Sequence, residues 1–137
     1  MGIRFPGKGR RFSPYEGYNK DGSKMEFMEQ IEVANWLKAN HPDVLFTASV
    51  GGVRLHPVTA NRMVAMGYSA GTPDLVLFEP RGQFHGLCIE MKRIGKFNVS
   101  PDQVEWHGKL KERGYAVAVC NGAEHAIKTI GEYLKGE

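Results

Sequence analysis

The stretch GTPDLVLFEPRGQFHGLCIEMK, residues 71–92, decides the fold. Two apolar runs, 75–79 and 86–91, flank Pro80-Arg81-Gly82-Gln83, a turn-forming tetrapeptide, and the arrangement predicts a β-hairpin. In a hairpin the start of the first strand lies beside the end of the second. Asp74 heads the first run, while Glu90 and Lys92 close the second, two apart and therefore on one face. The hairpin thus brings Asp74 next to Glu90 and Lys92. Two carboxylates converging at a sheet edge beside a lysine suit a hard divalent cation such as Mg²⁺. Such an ion polarises a phosphoryl oxygen and acidifies a bound water, and the lysine can orient that water or steady developing negative charge. The same letters also fit an aspartate capping a turn and a surface charge pair of little energetic weight.

Working outward from the hairpin, Ser100-Pro101-Asp102-Gln103 opens a helix running to Gly114, with Ser at N-cap, Pro at N1 and Gln at N3. An apolar strand over 115–120 and an amphipathic helix over 123–134 follow. Upstream, 23–40 reads as a helix with Ser23 as N-cap and Glu26 at capping-box spacing. Residues 44–50 read as a strand closed by Gly51-Gly52, and 59–66 as a short helix stopped by Gly67. The sum is an α/β domain, a central mixed β-sheet flanked by helices.

On the first helix, Glu26, Gln30, Val33 and Leu37 share one stripe. Its apolar members face the sheet, which aims Glu26 and Gln30 inward near one end. Two other readings stay open: Glu26 completes a capping box with Ser23, or Glu29, one notch round, is the residue aimed inward. Gln103 shares a stripe with Trp106 and Leu110, though N3 glutamine serves a capping box whatever the function.

The chain has 137 residues, 42% hydrophobic and 24% charged, the composition of one globular domain able to bury its own core. No apolar run reaches the roughly 20 residues of a membrane span, and the N-terminal residues lack a signal-peptide core. Cys88 and Cys120 lie in apolar stretches and read as buried thiols, which together predicts a cytoplasmic protein. The formal net charge of +3 is uneven. Arg4, Lys8, Arg10, Arg11, Lys20 and Lys24 face only Glu16 and Asp21 in residues 1–24, while the remainder is slightly acidic. Residues 1–23, rich in glycine and interleaved with Phe5, Phe12, Tyr15 and Tyr18, form an arm ahead of a domain over 24–137. Such an arm can stack on bases and meet phosphates, or dock on the protein's own surface.

Other chemistries fit poorly. Gly67-Tyr68-Ser69-Ala70-Gly71 matches the serine-hydrolase G-x-S-x-G by letter, but that elbow needs a strand before the serine and a helix after it. Here the predicted order is reversed. The cysteines and histidines lack zinc-ligand spacing, and no phosphate loop is present.

Pro73-Asp74 followed by Glu90-Met91-Lys92 resembles the PD-(D/E)XK nuclease signature. More narrowly, Glu26-x-x-x-Gln30, Gly71-Thr72-Pro73-Asp74-Leu75, Glu90-x-Lys92 and Ser100-Pro101-x-Gln103, in this order, resemble the VRR-NUC family across residues 24 to 121. The resemblance implies a PD-(D/E)XK (restriction-endonuclease-like) fold and Mg²⁺- or Mn²⁺-dependent phosphodiester hydrolysis. It implies metal held by Glu26, Asp74 and Glu90, Lys92 as the catalytic lysine, and Gln103 as the helix glutamine beside the active site. Short stand-alone members, found in phages and bacteria, are expected to be homodimers cutting branched DNA, in the manner of Holliday-junction resolvases. A catalytically inactive or partner-dependent nucleic-acid-binding module of the same fold is the alternative. Arg54, Arg62, Arg93, Lys96 and Lys109, with Arg10 and Arg11 of the arm, are the candidate phosphate contacts. No membrane and no small-molecule cofactor are expected.

Overall fold

The computed structural model describes residues 20–22, 24–49 and 55–136. In chain order the elements are α1 (Glu26–Asn40), β1 (Phe46–Ala48), α2 (Pro57–Ala65), β2 (Leu75–Leu77), β3 (Leu87–Lys92), α3 (Pro101–Glu112), β4 (Ala116–Asn121) and α4 (Ala123–Leu134). One four-stranded sheet runs β1-β2-β3-β4. The first three strands are antiparallel neighbours, and β4 joins β3 in parallel after crossing over through α3. The result is the expected mixed-sheet α/β domain of the PD-(D/E)XK type.

The hairpin stands where residues 80–83 place it. Leu75 pairs with Ile89 and Leu77 with Leu87, and an Arg81–Phe84 bridge closes the turn. Strand side chains alternate between faces. Leu75, Leu77, Leu87, Ile89 and Met91 turn to one face, where Val33 and Leu37 of α1 and Ala126 and Ile130 of α4 complete the buried core. The opposite face carries Val76, Cys88, Glu90 and Lys92 beneath α3. Both cysteines are buried free thiols, and desolvation lifts that of Cys88 to about 11. Among the described residues no helix is long and apolar enough to cross a membrane.

Three sequence expectations shift. α1 begins at Glu26, its N-cap is Met25, and among the described residues no side chain caps it. Glu26 is therefore the first helical residue and not the N3 member of a capping box; Ser23 lies outside the described residues. α2 begins at Pro57, two residues early, because His56 Nδ1 accepts the Val58 N–H at 3.3 Å and proline presets the first helical φ. β1 is only three residues long, with Val50 and the two glycines after it outside the described residues. Beyond β2 the pairing continues irregularly: Phe78 N–H donates to Leu45 O, and Leu45 N–H to Glu79 Oε1.

Candidate active site

Leu75 opposite Ile89 fixes the hairpin register, and one further step sets Asp74 across from Glu90 on the α3 face. The backbone explains why Asp74 stays there. β2 begins only at Leu75, so the Met91 N–H lacks a β2 carbonyl and needs another acceptor. Asp74 Oδ2 supplies it at 2.7 Å. The carbonyl of Asp74 accepts from Ser49 N–H at 2.9 Å and lies 3.5 Å from Gln30 Nε2 of α1.

Glu90 is only 2% exposed although it ends in a carboxylate. Its Oε1 accepts from Gln103 Nε2 at 2.6 Å and lies 3.6 Å from Lys92 Nζ. Gln103 Oε1 in turn accepts from Lys92 Nζ at 3.1 Å and from the Ser100 backbone N–H at 2.9 Å. Both readings of Gln103 therefore hold at once. It closes a complete capping box at the start of α3, and the same amide joins Glu90 to Lys92.

Gly71 brings α3 within reach of the hairpin. It adopts φ +92°, and a Cβ there would sit 2.5 Å from the Asp102 backbone. Only glycine lets residues 71–74 run against the first turn of α3 so closely. The segment 67–71 is the turn between α2 and β2, helix before and strand after, so Ser69 occupies no nucleophile elbow.

Electrostatics concentrate here. Desolvation and the nearby Asp74 charge push Glu90 up to about 8, against the opposing pull of Lys92. Asp74 is also raised, by burial first, although the Met91 N–H and a hydrogen bond from Glu90 lower it. Both carboxyls are thus held above their ordinary range, the usual response of a like-charged pair removed from water. Glu26 is raised by partial burial at the cavity wall, which Lys92 opposes and Asp74 reinforces.

A cavity of about 220 Å³ is lined by Glu26, Asp74, Glu90, Lys92 and Gln103, with Tyr68 and Thr72 at its wall. It adjoins a trough of about 700 Å³ that Asp74, Glu26, Gln30 and Arg93 share with the apolar flank of α1 and β1. Among the described residues no three His, Cys, Asp or Glu side chains form a ready-made ligand cluster. The Asp74–Glu90 pair nevertheless fits Mg²⁺, which binds through one or two carboxylates and keeps several waters. A divalent ion between the two carboxylates would offset the like-charge repulsion that burial makes costly.

Glu26 and Glu29 occupy different surroundings. Glu29 is buried, 5% exposed, but its Oε2 accepts the Ala123 N–H of α4 at 2.7 Å. Gly122, the N-cap of α4, has no side chain to satisfy that donor, so α1 lends a carboxylate. Glu26 is the α1 carboxylate that lines the cavity.

The basic candidates divide. Arg93 flanks the trough and pairs with Asp21 at 3.9 Å. Lys96 is exposed one turn beyond, its carbonyl held by Asn121 Nδ2. Lys109 pairs with Glu105 at 2.7 Å beside a separate cavity near Trp106. Arg62 is exposed on α2 and lines none of these cavities. Arg54, Arg10 and Arg11 lie outside the described residues. Sequence reasoning passed over His107, one helical turn after Gln103. It is 8% exposed, with Nε2 at 3.8 Å from Glu90 Oε2. Burial lowers its pKa, and Lys111 and Lys92 add to the effect. The available signal was its i+4 spacing from Gln103.

Known proteins bear on this geometry. A sequence profile of the VRR-NUC domain matches residues 54–124, just over half of the chain. A solved structure described as a VRR_NUC domain protein is similar at a TM-score of 0.68 and 32% identity, covering 80% of this chain and 88% of its own. Another, described as a VRR_NUC domain, gives 0.53 and 22% over 79% and 96%, a likeness of fold. No curated protein matches the chain.

Proposed function

This chain belongs to the VRR-NUC nuclease-domain family, and on that footing we propose that it is a metal-dependent, structure-selective DNA endonuclease of the cytoplasm. The observation that carries the reading is the opposed Asp74–Glu90 pair with Lys92 Nζ 3.6 Å from Glu90. Asp74 and Glu90 would hold Mg²⁺ or Mn²⁺, with Glu26 the third carboxylate of the cavity. A bound ion supplies Lewis-acid polarisation of the scissile phosphate and a more acidic water.

The chain's own residues do the rest. Lys92 places a positive charge where the phosphorane oxygens gain negative charge, and its ammonium can orient the attacking water. Gln103 fixes both Lys92 and Glu90, so the two keep one spacing. The β3 backbone, through Met91 N–H, locks the Asp74 rotamer. Arg93 follows Lys92 directly and Lys96 lies four residues after it, and both suit phosphates flanking the cleaved bond. Arg62, Arg54, Arg10 and Arg11 are further candidate backbone contacts in this reading, with residues 1–23 as a basic clamp ahead of the 24–137 domain.

One small domain with one site cuts one strand at a time. A homodimer would present two sites to opposing strands of a four-way junction, and branched DNA is therefore the proposed substrate. Purified protein incubated with four-way junction, flap, duplex and single-stranded DNA, with Mg²⁺, Mn²⁺ or EDTA, tests this. Junction cleavage that requires the ion, and that Asp74→Ala or Lys92→Ala abolishes, is expected. Variants that cut as well as the parent would overturn the site. Tight junction binding without cleavage under any divalent ion would make the chain a binding module.

A further inference from the structure

We propose that His107 is a positioning residue for Glu90, holding the second oxygen of that carboxylate in the orientation that ligates the ion; this deepens, and rests on, the metal-dependent reading above. Gln103 and His107 stand four apart on α3, so their side chains lie on one face, a turn apart. They address different atoms of the same carboxylate. Gln103 Nε2 donates to Oε1 at 2.6 Å. His107 Nε2 faces Oε2 at 3.8 Å.

Both of the latter atoms are buried without a hydrogen-bond partner among the described residues, Glu90 Oε2 on one side and His107 Nε2 on the other. Buried polar atoms are seldom left so, and two orphans facing each other across this gap are the natural partners of one bond. A carboxylate oxygen has two lone pairs, so Oε2 can face a cation and still take a donor. The Nε2–H tautomer of His107 needs to close by less than 1 Å to provide it. The carboxylate plane is then held at both ends by one helix, whose own start is fixed by the Ser100–Gln103 capping box. Outer-shell groups of this kind typically shift metal affinity by 10- to 100-fold when removed.

The test compares His107→Leu, which removes the donor, with His107→Gln, which keeps an N–H near the Nε2 position. Mn²⁺ binding is measured by calorimetry without DNA, and kcat and KM are measured on the DNA substrate that the parent cleaves. For His107→Leu the expected result is Mn²⁺ affinity roughly tenfold or more weaker, kcat reduced and KM for DNA unchanged. His107→Gln should restore most of both losses. If the leucine variant does not fold, His107→Asn, whose amide stops short of Oε2, takes its place with the same expected losses. Mn²⁺ affinity within twofold of the parent in the donor-less variant, or equal losses in the donor-less and glutamine variants, overturns the role of His107. A parent that binds no Mn²⁺ overturns the metal-dependent reading itself, and His107's role with it.

Discussion

Replacing Glu90 by glutamine should stabilise the metal-free protein at alkaline pH while removing its cleavage activity. The ordinary glutamate value is 4.5, and the folded chain holds Glu90 at about 8. A folded value above the unfolded one means that the native state keeps a proton the unfolded chain releases. Its stabilising contribution is complete below about pH 4.5, is lost progressively as pH rises, and is gone above about pH 8. At about 1.4 kcal/mol per pH unit this span sets a ceiling on the order of 5 kcal/mol. Relaxation of the pair and entry of water into the cavity relieve part of that, leaving about 2 kcal/mol or more. Glutamine has the shape of protonated glutamate: its carbonyl can accept from Gln103, and its amide can donate to Asp74. The assay is urea or thermal denaturation in EDTA from pH 5 to 9. Parent and Glu90→Gln should agree near pH 5 and diverge towards pH 9, the variant melting about 8 °C higher. Mn²⁺ should close the gap for the parent alone, since only the parent retains both carboxylates. Parallel pH profiles for the two proteins would refute the reasoning, because the buried carboxylate would then carry no charge penalty.

Three further predictions follow from other parts of the fold. Glu29→Ala should destabilise the protein by about 1–2 kcal/mol, read by urea denaturation, while leaving Mn²⁺ affinity intact, whereas Glu26→Gln should do the reverse. Gly71→Ala places a methyl group 2.5 Å from the Asp102 backbone at φ +92°; a loss of at least about 2 kcal/mol is expected in thermal melts, together with weaker Mn²⁺ binding as α3 is displaced from Glu90. Removing residues 1–19 should flatten the dependence of DNA affinity on salt in titrations at several ionic strengths without abolishing metal-dependent cleavage.

Much of the site is legible in the letters because local rules place it. The turn signal at 80–83 sets the hairpin register, and that register alone opposes Asp74 to Glu90. Gln103 is legible through Ser100 and Pro101, which fix where α3 starts and so where its third residue points. The helix start at Glu26 is not, because Met25 carries no side-chain oxygen and α1 is begun by packing, with Ser23 and Glu26 offering a false capping pattern. α2 begins behind an unusual histidine cap, and only Pro57 marked the position. Glu29 and His107 are tertiary residues. Each is defined by an atom on another element, Ala123 N–H in one case and Glu90 Oε2 in the other; spacing puts His107 on the Gln103 face of α3, but the partner atom lies outside the helix.

The bond from Glu29 to Ala123 spans 94 positions, and it has a consequence for synthesis on the ribosome. β3, which carries Glu90 and Lys92, is flanked on one side by β4, and its core face is roofed by α4 as well as α1. A nascent chain ending before residue 123 lacks α4 and the donor for Glu29, so α1 is held on the sheet only by its packing against β2 and β3. Glu26 and Gln30 are then less firmly placed beside Asp74. The hairpin carboxylates emerge before α4, and the wall of the cavity that α1 supplies gains its last brace only when α4 has left the exit tunnel. A ribosome-bound fragment therefore carries the cutting residues before their full support.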